Sequence, residues 1–425
     1  MTITIFLGSL LGAMALGMPI AFALLICGLA LMVHLDLFDA QIIAQNLING
    51  ADSFPLMAVP FFMLAGEIMN AGGLSKRIVN IAMAVIGHVP GGLGYVAILA
   101  SCILASLSGS AVADAAALAA LLVPMMTTAG HDKARSAGLI AAGGIIAPII
   151  PPSIGFIIFG VASGLSISKL FMAGIFPGLM MGLSLVAAWW WAVRNEKVTP
   201  PPRKSMKEVV KTLADGVWAL FLPVIIIVGL KLGVFTPTEA AVVAAVYSLF
   251  VAVFVYRELK PKMLYQVFVS AAMTTATVMF LVAAAMVSAW LITVADLPGQ
   301  VIELLEPFLD NPRMLMLMMM LLVVIVGTAM DMTPTILILT PVLMPLVKQA
   351  GIDPIYFGVL FIVNNAIGLI TPPVGTVLNV VAGVSKIGMD DLMKGVWPFL
   401  LAQLIMLGLM IAFPQLVTVP ASWFY

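Results

Sequence analysis

The chain has 425 residues, of which 63% are hydrophobic and 9% are charged. Because soluble domains carry roughly 25% charged residues, this composition excludes a soluble protein. It predicts an all-α polytopic membrane protein with on the order of ten spans of roughly 20 residues each. Nineteen basic residues balance nineteen acidic ones, which argues against nucleic acid as a partner.

The first elements are apolar. Residues 1–33 are predicted to form a retained first helix, because the segment is too long and too poor in positive flanking charge for a cleaved signal peptide. The next apolar unit, DSFPLMAVPFFMLAGE, ends at Glu67, nine residues before Lys76. A structural ion pair or a helix-end position is favoured for Glu67 over a substrate role.

Two irregular motifs follow within apolar surroundings. The stretch LSGSAVADA, residues 107–115, places small polar side chains and Asp114 where a membrane helix would continue. Further along, IIAPIIPPS contains a Pro-Pro pair. Proline removes a backbone donor and disrupts the helical ladder, and unpaired backbone groups survive in a membrane only when they are buried in protein or line a cavity. Both motifs therefore predict broken helices.

A polar segment, RNEKVTPPPRKSMKEVVKTLAD, divides the chain. It covers residues 194–215, contains six basic residues and separates a first half, 1–193, from a second half, 216–425. The positive-inside rule places this linker, and the later basic cluster YRELKPK, in the cytoplasm. Two helices are expected between them, with Glu239 of the intervening FTPTEA turn capping the second.

The two halves repeat. LLVPMMTTAGHD matches VLMPLVKQAGID without gaps at a shift of 221 residues, and the same shift carries IIAPIIPPS onto AIGLITPPV. It also pairs Gly174 with Gly395. SGSA matches VGTA, residues 326–329, after a three-residue adjustment. The second half is therefore expected to contain its own pair of helix breaks, beside Asp331.

Paired breaks of this kind suit ion binding. Freed carbonyls and Ser or Thr hydroxyls are hard oxygen ligands, and such sites bind sodium in secondary transporters, with half-helix N-termini facing anionic substrates. Close helix packing of Gly109 and Ala113 through a small-xxx-small pattern is the structural alternative. Asp331 is the strongest acidic candidate, because an intramembrane carboxylate is costly and usually functional.

Five segments together resemble one family. They are ADSFPLMAVPFFMLAGEIMNAGGLSKRI, ASLSGSAVADAAALAALLVPMM, GGIIAPIIPPSIGFIIFG, FTPTEAA and ILILTPVLMPLVKQAGIDPIYFG. They resemble the large membrane subunit of tripartite ATP-independent periplasmic (TRAP) transporters, and the resemblance covers nearly the whole chain.

The resemblance implies a sodium-coupled importer of organic acids in the bacterial inner membrane. A periplasmic substrate-binding protein would deliver the carboxylate substrate, and a small four-helix membrane subunit would pack beside this chain within the lipid. The fold implied is a scaffold plus a moving transport domain with two re-entrant hairpins, an elevator architecture.

The resemblance also implies roles for individual residues. One sodium site would use oxygens around the first pair of breaks, namely Ser106, Ser108, Gly109, Ser110 and Pro151. The second would use the corresponding segment, namely Gly327, Thr328, Ala329, Thr371 and Val374. Substrate would lie between the hairpin tips and contact Ser108, Ser153 and Asp331.

The cluster GLSISKLFMAGIFPG resembles carriers of sugar acids, such as sialic acid or keto-gulonates, more than carriers of C4-dicarboxylates. The chain has no P-loop, nucleophile triad or metal-ligand spacing, so no enzymatic or ATP-driven activity is expected. A gated ion channel and a non-transporting scaffold subunit remain as alternatives.

Overall fold

The fold is helical throughout the part of the chain that the structure describes. A computed structural model describes residues 2–196, 198–305, 308–309, 311–372 and 374–424. Within these ranges the chain forms helices and connecting turns without a β-strand. Among the described residues, eight helices are long and apolar enough to cross a membrane, which confirms the predicted all-α polytopic architecture.

The first half contains ten α-helices, with a short 3₁₀ helix, Phe54–Met57, leading into the fourth. In chain order they are α1 (Thr2–Ala15), α2 (Ile20–His34), α3 (Ala40–Ala51), α4 (Ala58–Ala71), α5 (Leu74–Ile86), α6 (Gly92–Ser108), α7 (Ala111–Thr128), α8 (Lys133–Gly144), α9 (Ile154–Ser163) and α10 (Ile167–Val193).

The rest of the chain contains ten more α-helices within its described residues, the first of which begins inside the polar segment. They are α11 (Met206–Lys231), α12 (Pro237–Phe250), α13 (Pro261–Val294), α14 (Leu297–Leu305), α15 (Pro312–Ala329), α16 (Met332–Gln349), α17 (Pro354–Gly368), α18 (Thr376–Ser385), α19 (Met389–Ala412) and α20 (Gln415–Ser422). A π-helical turn, Val251–Val255, extends α12.

The polar segment is partly helical. Its irregular portion ends at Ser205, whose hydroxyl accepts a hydrogen bond from the Glu208 amide while the Glu208 carboxylate accepts one from the Ser205 amide. This capping box starts α11 at Met206, about ten residues before the predicted start of the second half at residue 216. Thr236 and Glu239 form a second capping box at the start of α12, as the FTPTEA turn predicted.

The helix boundaries reproduce the internal repeat. Helices α7 and α16 begin 221 residues apart and also end 221 residues apart, and α8 and α17 begin with the same offset. Helices α9 and α18, and then α10 and α19, follow within one residue at their starts. The repeat that Gly and Pro indicated in the sequence is therefore a repeat of helices and breaks.

Two hydrogen bonds orient the repeats. The Thr199 amide, in the polar segment, donates to the Ala129 carbonyl over 3.1 Å, so the loop after α7 lies on that side. The Lys133 ammonium donates to the Lys386 carbonyl over 3.1 Å, so α18 ends there too. Helix α19 starts beside that end of α18 and runs for 24 residues to Ala412, and the Tyr356 side chain at the start of α17 contacts the Met410 carbonyl near the far end of α19, so α16 ends on the opposite side. The α6–α7 and α15–α16 hairpins therefore open in opposite directions.

Candidate functional site

The first hairpin tip packs directly on the first Pro-Pro break. Gly109 joins α6 to α7 with a φ of +62°, and a Cβ added there would lie 2.7 Å from the Pro152 carbonyl oxygen and 3.4 Å from the Ser153 Cα. Only glycine combines this left-handed backbone with so close an approach. The fold thus brings together the two motifs that the sequence placed about 40 residues apart.

Hydroxyls at this tip are tied to a buried carboxylate. The Ser108 hydroxyl donates to Asp114 Oδ1 over 2.6 Å and accepts from the Ser110 amide over 3.2 Å. Asp114 is 3% exposed, and its Oδ2 has no partner among the described residues. The Ser106 hydroxyl donates to the Ile103 carbonyl within its own helix. An unpartnered buried carboxylate oxygen beside bent backbone is a suitable cation ligand.

Ser153 is part of the break but is not among the residues that line the cavity beside the hairpin tips. It is fully buried, its hydroxyl donates to the Pro148 carbonyl, and it accepts from the Phe156 amide at the start of α9. It is therefore the N-cap of α9. Its neighbours Ile154 and Gly155 line the cavity instead. Ser153, which was predicted to contact substrate, therefore lies behind the residues that line the cavity.

The second pair of motifs also meets. Gly327, near the end of α15, packs on the last turn of α17, where the Gly368 Cα would lie 3.6 Å from a Cβ added at Gly327. The Thr328 hydroxyl donates to the Ile325 carbonyl, and the Thr371 hydroxyl to the Ile367 carbonyl. Val374 is 41% exposed. The side chain of Ala329 and the whole of Pro373 lie outside the described residues.

An asparagine at the second break was not among the predicted residues. The Asn365 amide nitrogen donates to the Met332 carbonyl over 3.1 Å, while its Oδ1, buried and unpartnered in the described structure, would lie 3.2 Å from a Cβ at Gly327. An amide oxygen is a hard ligand of the kind that cations prefer. Two consecutive asparagines in the apolar VNNAIG run were the available signal.

The hairpin tips correspond without the three-residue adjustment that the sequence match used. At the uniform offset of 221, the N-cap of α7, Ser110, falls on the N-cap of α16, Asp331. Asp331 accepts the Met332 amide through Oδ1 over 2.9 Å. The sequence match aligned small residues, whereas the fold aligns the starts of the two helices. Asp331 is therefore the counterpart of Ser110 rather than of Asp114.

One cavity of about 450 Å³ lies against both hairpin tips. One side is formed by the tips and breaks, and it includes Ser108, Gly109, Ser110, Pro148 and Asp331. The other side, which we call the α4–α13 wall, consists of Met63, Gly66, Glu67, Asn70, Thr274 and Val278. Two of the three predicted substrate contacts, Ser108 and Asp331, therefore share one cavity.

The α4–α13 wall approaches the first hairpin closely. A Cβ at Gly66 would lie 3.6 Å from the Ser108 Cβ. Glu67 forms no hydrogen bond through its side chain and no ion pair within the described structure, and it lines the cavity. The ion pair favoured for Glu67 is absent within the described structure, where Arg77 instead binds Asp215 at 3.1 Å and Glu258 at 2.7 Å.

The cavity is acidic. Glu67 and Asp331 line it, and none of the described lining residues is Lys, Arg or His. A substrate carboxylate roughly 5–10 Å from either group would meet a repulsion of about 2–3 kcal/mol at an effective dielectric constant of 20. A cation bound nearby would offset this repulsion.

Comparison with known proteins identifies the family. Residues 7–416 match the family model of the DctM component of tripartite ATP-independent periplasmic transporters. The chain belongs to this family of TRAP large permeases. It is 62% identical, over all of both chains, to the 2,3-diketo-L-gulonate TRAP transporter large permease protein YiaN of Escherichia coli.

The chain is also similar to TRAP large permeases that are named for other substrates. The chain is 38% identical to the sialic acid large permease SiaM of Vibrio cholerae, over 95% of each chain. It is 35% identical to the C4-dicarboxylate large permease DctM of Pseudomonas aeruginosa, over 90% of this chain and 89% of that one. The similarity confirms a non-enzymatic, multi-pass inner-membrane permease.

The fold also resembles a solved structure. The Alcanivorax borkumensis YdaH transporter aligns with a TM-score of 0.63 over 90% of this chain and 91% of that one, at 16% identity. TRAP large permeases work with a small membrane subunit and a periplasmic binding protein, as the resemblance implied.

Proposed function

We propose that this TRAP large permease couples sodium entry to the import of a sugar acid. The observation that carries the proposal is the acidic cavity between the hairpin tips and the α4–α13 wall. Its two carboxylates, with no basic residue among the described lining residues, would repel an anionic substrate unless cations bind with it. Sodium bound beside the breaks supplies the compensating positive charge. The substrate therefore binds favourably only together with the ion.

The two sodium sites lie at the paired breaks. Gly109 and the carbonyl of Pro152 form the first meeting point, with the unpartnered oxygen of Asp114 behind it. Gly327 and the unpartnered oxygen of Asn365 form the second. Carbonyl, hydroxyl and amide oxygens at broken helices are the ligands that sodium takes in secondary transporters.

Transport follows an elevator mechanism. The hairpins and broken helices form the moving domain, and α4 and α13 belong to the scaffold. Sodium closes the site over substrate, and by linkage substrate raises the affinity for sodium by the same factor. A periplasmic binding protein delivers the acid, and the small four-helix subunit packs against the scaffold.

The substrate is a sugar acid of the keto-gulonate type. The 62% identity over the full length of a permease named for 2,3-diketo-L-gulonate supports this choice over sialic acid, for which the named relative is 38% identical. It also supports a sugar acid over a C4-dicarboxylate, for which the named relative is 35% identical.

The test is uptake of labelled diketo-gulonate by proteoliposomes that contain both membrane subunits and the loaded binding protein. Uptake should require external sodium and fall to background when potassium replaces it. Equal uptake in the two salts would refute the coupling. Competition with sialic acid and succinate, each supplied with the same binding protein, measures the substrate preference.

A further inference from the structure

The scaffold side of the cavity carries a carboxylate that neither sodium site uses. Glu67 is half-buried and lies in the same face of α4 as Gly66 and Asn70, which both line the cavity. Its carboxylate has no hydrogen-bond or ion-pair partner within the described ranges. A carboxylate that is held partly away from water without a partner keeps an uncompensated field.

Arg77, one of the two basic residues that follow α4 in the sequence, binds other partners. Arg77 contacts Asp215 and Glu258, and its guanidinium carbon lies 3.7 Å from the centre of the Tyr256 ring. These contacts hold Arg77 beside the second half of the chain rather than beside the cavity. Since no described basic residue pairs with Glu67 or lines the cavity, the field of Glu67 reaches the substrate space.

Glu67 lies on α4, which belongs to the scaffold in the proposed mechanism. Its field therefore acts on the substrate in only one part of the transport cycle. The Gly66 position lies against Ser108 in this conformation, so the first hairpin tip and any acid bound there are next to the fixed carboxylate. When the hairpins move relative to α4, they leave Glu67 behind. Asp331 and Asp114, by contrast, move with the substrate.

We propose that Glu67 is a coupling residue, a fixed negative charge that prevents the acid from occupying the cavity without sodium. This inference rests on the proposed function and deepens it. Glu67 does not ligate sodium or hydrogen-bond the acid. It acts at a distance by making the cation-free complex with substrate unfavourable, which suppresses uptake of the acid without its ion.

The experiment compares Glu67→Gln, Glu67→Asp and Glu303→Gln with the unmodified permease. Glu303 is exposed on α14 and lies outside the cavity, so Glu303→Gln controls for loss of one carboxylate. The purified pair of membrane subunits is titrated with diketo-gulonate in potassium buffer and in sodium buffer, and acid-induced thermal stabilisation reports binding. Uptake into proteoliposomes is measured in parallel against sodium concentration.

Glu67→Gln should bind the acid in potassium buffer about tenfold more tightly than the unmodified permease, the effect of removing a like charge roughly 10 Å away at an effective dielectric constant near 20. Its affinity in saturating sodium should change little, and its uptake should show a larger sodium-independent fraction. Glu67→Asp and Glu303→Gln should behave like the unmodified permease.

Binding does not depend on turnover, so a variant that transports poorly still reports on the inference. The inference is overturned if Glu67→Gln and the unmodified permease bind the acid equally in potassium buffer. It is also overturned if Glu67→Asp matches Glu67→Gln, since shape rather than charge would then be responsible. Sodium-independent binding and uptake by the unmodified permease would instead refute the proposed function.

Discussion

At the residue scale, one glycine joins the first hairpin to the first break. Gly109 has a left-handed backbone, and the Pro152 carbonyl lies where a side chain would begin. Gly109 therefore satisfies two separate requirements, a left-handed backbone and the absence of a side chain. Gly164 has a similar φ of +72° but nothing within 4 Å of an added Cβ, so it separates the effect of backbone strain from the effect of contact.

Gly109→Ala should lower stability by about 1–2 kcal/mol for the left-handed backbone and by roughly another 1–3 kcal/mol for overpacking against Pro152. It should also abolish stabilisation by sodium, because the tip would be pushed away from the break. Gly164→Ala should show only the first loss and keep the sodium response. Thermal unfolding with and without sodium measures both, and equal behaviour of the two variants would contradict this account.

At the element scale, glycines of the repeat allow α10 and α19 to approach other backbone segments at short range. A Cβ at Gly395 in α19 would lie 2.1 Å from the Ala134 carbonyl oxygen of α8. Its counterpart in the first half, Gly174 in α10, would meet the Ile149 carbonyl oxygen at 2.5 Å. The coincidence of glycines that revealed the repeat in the sequence therefore has a steric cause in each half.

Gly395→Ala should destabilise the protein by roughly 1–3 kcal/mol, because α8 and α19 would have to separate. Gly408 lies in the same helix with nothing within 4 Å of an added Cβ. Gly408→Ala should therefore be neutral or raise stability by up to about 1 kcal/mol through helix propensity. Thermal melts of the purified protein distinguish the two, and a similar loss for both would remove the steric explanation.

At the scale of the whole molecule, the two halves are joined by more than the polar segment. Arg77 on α5, in the first half, binds Asp215 on α11 and Glu258 after α12, in the second. The Tyr256 hydroxyl donates to the Asp215 carbonyl over 2.9 Å. These contacts connect α5 to the elements around α11 and α12, whereas the α4–α13 wall contacts the hairpins directly, since α13 packs against α16 and α4 against α6.

A cysteine pair tests whether the hairpins move against that wall. Gly66→Cys with Ser108→Cys places Cβ atoms about 3.6 Å apart, within the range for a disulfide. In a background in which Cys27 and Cys102 are replaced by alanine, the elevator predicts that the oxidative cross-linking yield changes when sodium and substrate are added. Gly143→Cys with Ser101→Cys joins α8 to α6, both within the domain that the proposed elevator moves, and should be insensitive. Unchanged yields for both pairs would exclude the motion.

Much of this organisation could be predicted from sequence, because hydrophobicity, prolines and glycines report on local backbone requirements. The spans, the repeat and the broken helices follow from those residues. The match of SGSA with VGTA misplaced the second tip, since small side chains recur at many registers whereas the N-caps Ser110 and Asp331 fix the helix starts. Ser153 and Glu67 could not be assigned from sequence, because which surface a residue faces is decided by packing between distant helices.

The opposed orientation of the two halves has a consequence for biosynthesis. The repeated helices must insert in either direction, so they cannot themselves carry a strong bias in basic residues. The bias is concentrated in the polar segment, with six basic residues over 194–215, and in the shorter cluster at 256–262. By the positive-inside rule, these two short stretches would commit both halves to opposite directions while the chain is being made, before any tertiary contact can form.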